Sequence, residues 1–176
     1  MDNDRRAPNE GGVPPRFLAD AMLGRLARWL RILGFDADYF PGEDDDLLHK
    51  ARMEGRVLLT RDTRLLQRRA AGVRPVPGRD ADPLPAHLFI QSDYVMEQLR
   101  QVIAALRLDP AAPRVHRCAC CNVALESRDK AEVLGLVPEF VWSQHQSFWA
   151  CPGCQRIYWP GTHWRRMRET IRALGK

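Results

Sequence analysis

Four cysteines arranged as two CxxC pairs, with 29 residues between the pairs, constrain this chain more than any other feature. Two CxxC turns bring four thiolates to the corners of a tetrahedron, which is the ligand geometry of a structural zinc ion. Pro152 and Gly153 suit the tight turn of such a knuckle. A redox dithiol or buried unpaired thiols would explain one pair but not two, and Cys120 has the wrong spacing to take part. The pattern therefore predicts a closed Zn²⁺ site, with ligands Cys118, Cys121, Cys151 and Cys154.

Aromatic residues are dense around these cysteines. Four thiolates leave zinc no open coordination position, so the ion is expected to stabilise a unit whose own core is small. The aromatic side chains either pack that small core, which is the favoured interpretation, or stack on nucleobases. They are Trp142, Phe148, Trp149, Tyr158, Trp159 and Trp164.

The positive charge is concentrated in the same part of the chain. Residues 1–112 carry 17 Lys and Arg against 17 Asp and Glu, whereas residues 113–176 carry 10 against 5, so the net charge of +5 lies in the last third. A local basic surface predicts a polyanionic partner such as nucleic acid. The competing interpretation is ordinary solvated surface, because 24 Arg against 3 Lys is typical of a biased codon composition.

Length and hydropathy are those of a globular chain. With 176 residues and 45% hydrophobic content, it has room for one medium domain and a small one. No apolar run approaches the ~20 residues of a membrane helix, so no membrane partner is expected. Residues 1–15 are polar, rich in Gly and Pro, and lack an apolar leader region. They predict a disordered tail and a cytoplasmic protein, in which the cysteines stay reduced.

Between the tail and the cysteines, short apolar runs alternate with amphipathic stretches. Strands that alternate with helices predict an α/β domain with a mainly parallel sheet covered on both faces. Pro110 and Pro113 mark a linker, which divides the chain into a domain over 16–112 and a small unit over 113–176. That unit is expected to end in a helix from about Thr162. The predicted strands are RFLAD, DADYF and RVLLT, with VRPVP and HLFIQ as weaker candidates, and Ser92 is expected to cap the last helix of the domain.

Two of the buried strands end on a carboxylate. "FLAD" closes on Asp20 and "VLLTRD" on Asp62. The carboxyl ends of parallel strands share one edge of a sheet, so the two acids are expected to meet there. Asp44, Asp45 and Asp46 begin the next helix and reach that edge if its strand runs the same way. Converging carboxylates predict a Mg²⁺ or Mn²⁺ site, although each acid alone would also serve as a helix cap.

Together these stretches resemble a known family. The segments RFLADAMLGRLARWLRILGFDADYF, DDDLLHKARMEGRVLLTRD, RCACCN and CQRIYWPGTHW, with the spacing between them, are similar to the Mut-seven C-terminal ribonuclease domain family. Members of that family are PIN-like domains with an appended zinc ribbon, and the resemblance runs from Arg16 to about Leu174. It implies a three-layer α/β/α fold and metal-dependent cleavage of RNA, with single-stranded RNA as the expected partner.

The resemblance also implies roles for individual residues. Asp20 matches the acid that closes the first PIN strand, Asp44 or Asp45 the acid at the start of the second helix, and Asp62 the acid of the "TRD" element. A fourth acid is left open among Asp80, Asp82 and Asp93. These acids would hold the Mg²⁺ or Mn²⁺ that activates water, and three arginines near them would contact phosphates, although Arg28 could instead pair with a helix acid. The arginines are Arg25, Arg28 and Arg61.

Two other functions compete with a nuclease. A non-catalytic zinc-ribbon protein that binds nucleic acid would use its acids only as helix caps. Phosphoryl transfer through an aspartyl phosphate also places an acid after a first strand. That chemistry needs a second aspartate two residues on, where Met22 stands, or a lysine after a late strand, and the three lysines of this chain are poorly placed for it.

Overall fold

Four short parallel strands form the central sheet of the first unit. The structure, a computed structural model, describes residues 14–69, 84–110, 116–162 and 169. All strand pairs of this sheet are parallel and their spatial order is β2–β1–β3–β4. The strands are β1 (Arg16–Ala19), β2 (Asp36–Tyr39), β3 (Val57–Thr60) and β4 (His87–Phe89).

Helices cover both faces of this sheet, which makes three layers. Because successive strand side chains point to opposite faces, Phe17 packs in one core and Leu18 in the other. The core containing Phe17 is closed by α1 and α4, and the core containing Leu18 by α2 and α3. The helices are α1 (Gly24–Ile32), α2 (Asp44–Glu54), α3 (Thr63–Arg69) and α4 (Val95–Ala105).

A small antiparallel sheet organises the second unit. Its strands are ordered β5–β6–β7, and Phe148 packs on one face of the sheet with Val133 and Val141. Among the described residues, this core contains three buried apolar side chains, a small number for an independent fold, and the cysteines are expected to add stability. The elements are β5 (Glu126–Arg128), a 3-10 helix (Lys130–Val133), α5 (Glu139–Gln144), β6 (Phe148–Ala150) and β7 (Ile157–Tyr158).

The predicted α/β architecture, with its parallel sheet and appended ribbon-like unit, is confirmed. The weaker strand candidate HLFIQ is β4, whereas VRPVP and most of the predicted C-terminal helix lie outside the described residues. Ser92 was expected to cap the last helix of the domain, and this prediction was wrong. Helix α4 begins at Val95, and the Ser92 hydroxyl accepts a hydrogen bond from the Tyr94 N–H in a turn before it. Within the described residues, every helix is too short or too polar to cross a lipid bilayer.

Candidate functional site

Asp20 and Asp62 lie at the same edge of the parallel sheet. Strands β1 and β3 are parallel neighbours, with Ala19 aligned to Leu59, so both chains leave the sheet at its carboxyl end. The Asp20 N–H donates to the Leu59 carbonyl at 3.1 Å, which continues the strand ladder to the acid itself. The edge at which β1, β2, β3 and β4 end is called the acidic rim below.

Asp20 is held rigidly at this rim. Its side chain is 6% exposed, and its Oδ1 accepts a hydrogen bond from the Met22 N–H at 2.9 Å. Its Oδ2 accepts from the Thr60 hydroxyl at 2.6 Å and from the Arg61 N–H at 2.9 Å. A buried carboxylate is costly unless it is hydrogen-bonded, and these three donors stabilise its charge without a cationic partner.

Thr60 connects Asp20 to Asp62. The same hydroxyl that donates to Asp20 accepts a hydrogen bond from the Asp62 N–H at 3.0 Å. Asp62 in turn caps α3, because its Oδ1 accepts from the N–H groups of Arg64 at 2.7 Å and Leu65 at 3.2 Å. Asp62 therefore caps α3, which was one of the two roles expected for it. Its other carboxylate oxygen, Oδ2, accepts no hydrogen bond from the described residues.

The third predicted source of carboxylates also reaches this edge. Strand β2 runs parallel to β1, and the Phe40 N–H that follows it donates to the Ala19 carbonyl. Helix α2 begins four residues later with Asp44 and Asp45, both exposed in its first turn, where the helix dipole favours negative charge.

A fourth acid is placed at the rim by β4. Asp93 follows that strand, and its carboxylate forms an ion pair with the guanidinium of Arg61. Among the three candidates for a fourth acid, Asp93 is the one whose position the structure describes, since Asp80 and Asp82 lie outside the described residues. Arg61, expected to contact phosphate, is engaged with Asp93, and its buried Nε has no partner among the described residues.

The acids of the rim are less crowded than the cysteines. In the described part of the chain, the four cysteines are the only group of three or more His, Cys, Asp or Glu whose potential ligand atoms all lie within 4.8 Å of one another. The rim acids share one edge of the sheet, but no three of them approach one another this closely among the described residues, so the close convergence expected of Asp20, Asp62 and the acids of α2 is not seen.

The four predicted zinc ligands converge as expected. Sγ of Cys118 lies 3.5 Å from that of Cys154, and Sγ of Cys121 lies 3.3 Å from that of Cys151. A tetrahedron with Zn–S bonds of about 2.3 Å has edges of roughly 3.8 Å, so this donor set fits zinc. Cys120 is exposed and stands outside the group.

Two knuckles of the same geometry hold these thiols. In the first, the Cys118 N–H donates to the Val123 carbonyl and the Cys118 carbonyl accepts from the Asn122 N–H. Cys151 makes the equivalent bonds with Arg156 and Gln155. Asn122 and Gln155 both adopt positive φ, +67° and +61°, which closes each turn.

Tyr158 is an additional neighbour of the cluster that the spacing did not reveal. Its hydroxyl lies 3.1 Å from Sγ of Cys118. Burial alone would raise the pKa of the Cys118 thiol, but hydrogen bonds from Tyr158 and from backbone N–H groups lower it to about 6. This environment stabilises the thiolate that binds a metal.

The first knuckle docks on the free edge of β2. The Asn122 side chain accepts a hydrogen bond from the Ala37 N–H at 3.2 Å and donates to Asp36 Oδ1 at 2.7 Å. Buried Arg31 of α1 donates to the Ala37 carbonyl and to the Cys120 carbonyl, each at 2.6 Å. The second unit, which comprises residues 116–162 and is called the ribbon below, is thereby attached directly to the sheet that carries the acidic rim.

Asp36 is the charged centre of this contact. Its carboxylate pairs with Arg56 at 2.6 Å, Arg16 at 3.3 Å and Arg117 at 3.7 Å. Burial of the carboxyl would raise its pKa, but the hydrogen bonds from Arg56 and Asn122 hold the pKa below its usual value. No sequence pattern identified Asp36, because its partners come from both units.

Arg25 and Arg28 line a cleft of about 750 Å³ between α1 and the ribbon. One end of this cleft lies at Met22 and Tyr39, close to the acidic rim, and the other lies at Cys120 and Tyr158. Unlike Arg61, neither arginine makes a hydrogen bond or ion pair with another described residue, and both are exposed. The cleft is called the arginine groove below.

A family model, described as the Mut7-C RNAse domain, matches residues 15–171. The match covers both the unit with the acidic rim and the unit with the cysteines. No curated protein and no solved structure matches the chain significantly.

Proposed function

This chain belongs to the Mut7-C RNAse domain family, and we propose that it is a metal-dependent ribonuclease whose active site is the acidic rim. Asp20, Asp62 and the exposed pair Asp44 and Asp45 are the proposed catalytic acids. The ribbon contributes a structural zinc site and part of the surface that binds RNA.

One observation carries this proposal, namely the hydroxyl of Thr60 that joins Asp20 to Asp62 across two parallel strands. Thr60 is completely buried, so the sheet holds the Asp20 carboxylate and the backbone of Asp62 in a fixed relation. A helix cap would not require a partner on the neighbouring strand, whereas a shared metal site does.

The acceptor capacity of the two carboxylates fits a hard divalent cation. A carboxylate offers about four lone-pair positions, and Asp20 uses three of them, so one remains on Oδ1. Asp62 uses two, both on Oδ1, and its Oδ2 remains available. Mg²⁺ and Mn²⁺ commonly bind one or two carboxylates and retain several waters, which matches acids that are spaced apart.

Each residue of the rim has a distinct task in this proposal. Asp20 and Asp62 would hold Mg²⁺ or Mn²⁺, and the bound ion would lower the pKa of water and polarise the scissile phosphate. Asp44 and Asp45, exposed in the first turn of α2, would contribute further carboxylate ligands to the same ion or to a second one. Arg61 keeps the Asp62 loop in place through its ion pair with Asp93.

RNA as substrate is supported by the charge of the surface beside the rim. The arginine groove begins at Met22, two residues after Asp20, and carries Arg25 and Arg28 along α1. A single RNA strand that follows these arginines reaches the rim with its phosphates, since guanidinium groups bind phosphate oxygens in any sequence context.

Cleavage of labelled single-stranded RNA tests the proposal. Zinc-loaded protein is incubated with Mn²⁺ or Mg²⁺, and wild type is compared with Asp62→Asn. Asparagine retains the cap on α3, so the fold is preserved while a charged ligand is lost. We expect cleavage to fall by at least about 100-fold, in keeping with the loss of metal-dependent transition-state stabilisation. The matched control is Glu139→Gln, an exposed acid in the first turn of α5, which should cleave like wild type.

A second candidate function is favoured by the cap that Asp62 forms on α3. A non-catalytic RNA-binding protein would need its acids only for such caps. It would bind RNA equally well with Asp62→Asn, and it would show no cleavage with any divalent ion. That pair of results would replace the ribonuclease proposal with the binding protein.

A further inference from the structure

The ribbon sheet has two faces, and only one of them packs against the ribbon core. Phe148 and Ala150 point to the core. Ile157, the cross-strand partner of Ala150, packs against the same core. Trp149 lies between Phe148 and Ala150 and therefore points to the other face, where its cross-strand partner is Tyr158.

This second face borders a cavity of about 730 Å³ shared with α1. Trp149 and Tyr158 line it from this face, Trp29 lines it from α1, and Trp159, which also packs against the ribbon core, lines it beyond the end of β7. The His116 ring packs against Trp149 with centroids 4.9 Å apart, which holds the indole in position. This cavity is called the aromatic pocket below, and its volume is in the range of small-ligand sites.

The aromatic pocket adjoins the arginine groove. Arg25, Arg28 and Tyr158 line both cavities, so the two form one continuous depression along α1. Over the described residues, its lining includes five arginines and no Asp or Glu. Among the described residues, the side chains of three of the five, Arg25, Arg28 and Arg156, have no hydrogen-bond or ion-pair partner, so no carboxylate compensates their charge.

We propose that the aromatic pocket binds an unpaired nucleobase of the RNA strand, stacked on Trp149, while Arg25 and Arg28 bind the phosphates that lead from this base to the acidic rim. An aromatic face tolerates any base, and uncompensated guanidinium groups select a polyanion. The inference rests on the proposed ribonuclease function, because the strand it anchors is the substrate of the rim. It identifies the substrate as unpaired RNA, since a base within a duplex cannot enter the pocket.

Equilibrium binding tests the pocket separately from catalysis. Every protein in the test carries Asp62→Asn, so the RNA stays intact whether or not the wild type cleaves it. The probe is a short unstructured RNA, compared with a strand of the same length and charge in which the bases are replaced by abasic nucleotides. Fluorescence anisotropy gives Kd for both, and metal analysis confirms one zinc per chain.

We expect Trp149→Ala to weaken binding of the intact strand roughly tenfold or more and Trp149→Phe by less than about threefold. The abasic strand should bind the parent protein as weakly as the intact strand binds Trp149→Ala, and that variant should no longer distinguish the two strands. Leu136→Ala, an exposed apolar residue of the ribbon outside both cavities, should have no effect.

Arg28→Ala separates phosphate contacts from base contacts. It should weaken binding of intact and abasic strands by the same factor and reduce the salt slope by about 0.7, the value for one phosphate contact on a single strand. Equal binding of intact and abasic strands by the parent protein, or discrimination that persists in Trp149→Ala, would overturn the pocket while leaving the rim untouched. If wild type cleaves no RNA but the parent protein still distinguishes intact from abasic strands, the proposed active site is overturned and the pocket stands. If the protein binds no RNA at all, both proposals are overturned.

Discussion

The cysteine cluster and the acidic rim are two potential metal sites built in opposite ways. The cysteines come from two short turns of the same geometry, each with its own backbone hydrogen bonds, and their sulfur atoms meet within 4.8 Å. The rim acids come from separate strand ends and helix starts, and they meet only because the strands are parallel. The first site is assembled by local sequence and the second by topology.

This difference agrees with the chemistry proposed for each site. A set of four thiolates fills a tetrahedral shell and leaves no position for substrate, which suits a structural ion. Asp20 and Asp62 keep acceptor positions that no described donor uses, which suits an ion that must also bind water and phosphate. A closed site stabilises a small unit, whereas an open one is supported by the large core beneath it.

Removal of zinc should have the largest effect and should separate the two regions. Chelation, or Cys151→Ser, is expected to unfold the ribbon, because zinc contributes on the order of 10 kcal/mol in small zinc folds and the ribbon core is small. The parallel sheet has two cores of its own and should stay folded. Limited proteolysis should therefore leave a protected fragment near residues 14–110. Cys120→Ser is the matched control, and a ribbon that resists proteolysis without zinc would contradict the account.

Loss of the charge at Asp36 should have the next largest effect. Asp36→Asn removes the charge that pairs with buried Arg56 and with Arg16 and Arg117, so we expect the free energy of unfolding to fall by about 3 kcal/mol. Asp38→Asn, two residues further along β2, removes only a more exposed pair with Lys50 and should cost less than about 1 kcal/mol. Chemical denaturation of both variants measures the difference, and equal losses would show that Asp36 is not a centre of the contact.

The Thr60 hydroxyl that links Asp20 to Asp62 can be removed without changing the shape of the side chain, because valine and threonine have the same outline. Thr60→Val deletes the hydroxyl that donates to Asp20 and accepts from the Asp62 N–H, and should destabilise the fold by about 2 kcal/mol. RNA cleavage should fall even at temperatures where the variant is fully folded, because the two acids lose their common partner. Thr63→Val, exposed in the first turn of α3, should change stability by less than about 0.5 kcal/mol. Unchanged cleavage in Thr60→Val would remove the main support for a shared site.

The two knuckles provide an internal comparison with a smaller effect. Asn122→Gly retains the positive φ but loses both side-chain hydrogen bonds to β2, so we expect a loss of about 1 kcal/mol. Gln155→Gly makes the same change in the second knuckle, which has no bond to β2 among the described residues, and should be neutral or slightly stabilising. Thermal unfolding of the zinc-loaded variants distinguishes them. Equal results would mean that the first knuckle does not dock through Asn122.

Acid should progressively remove the stabilisation that the Asp36 carboxylate provides through Arg56 and Asn122. The pKa of Asp36 is lowered in the folded protein, so its stabilising effect is complete above the unfolded pKa near 3.8 and is lost as the pH falls through the lower folded value. The free energy of unfolding should therefore fall below about pH 4, and wild type and Asp36→Asn should converge there. A gap between them that stays constant down to pH 2 would contradict the lowered pKa.

The sequence predicted those features that depend on local chemistry. Spacing alone identified the four zinc ligands, because one residue type at one repeated interval supplies the whole donor set. Apolar runs such as VLLT identified strands buried on both faces, since every residue of β3 is buried. A prediction that depended on turn geometry was wrong, as for Ser92, because the chain turns once more before α4 begins.

Features that depend on contacts between the units were beyond the sequence. No sequence pattern distinguishes the three polar residues that join the ribbon to the sheet, namely Asp36, Asn122 and Arg31. The sequence suggested Arg61 as a phosphate ligand because it adjoins Asp62. The ion pair that Arg61 forms with Asp93 could not be foreseen, since 31 residues separate the two in the chain. Neither pairing follows from periodicity or spacing. The catalytic roles of Asp20, Asp44, Asp45 and Asp62 remain predictions.

The most direct test of the rim is the position of Mn²⁺ in crystals of zinc-loaded protein soaked with that ion. Anomalous scattering distinguishes manganese from zinc by its absorption edge. We predict a manganese peak at the rim beside the carboxylates of Asp20 and Asp62, and no peak there in Asp62→Asn crystals. A rim that stays empty at saturating Mn²⁺, or a peak that persists unchanged in the variant, would contradict it.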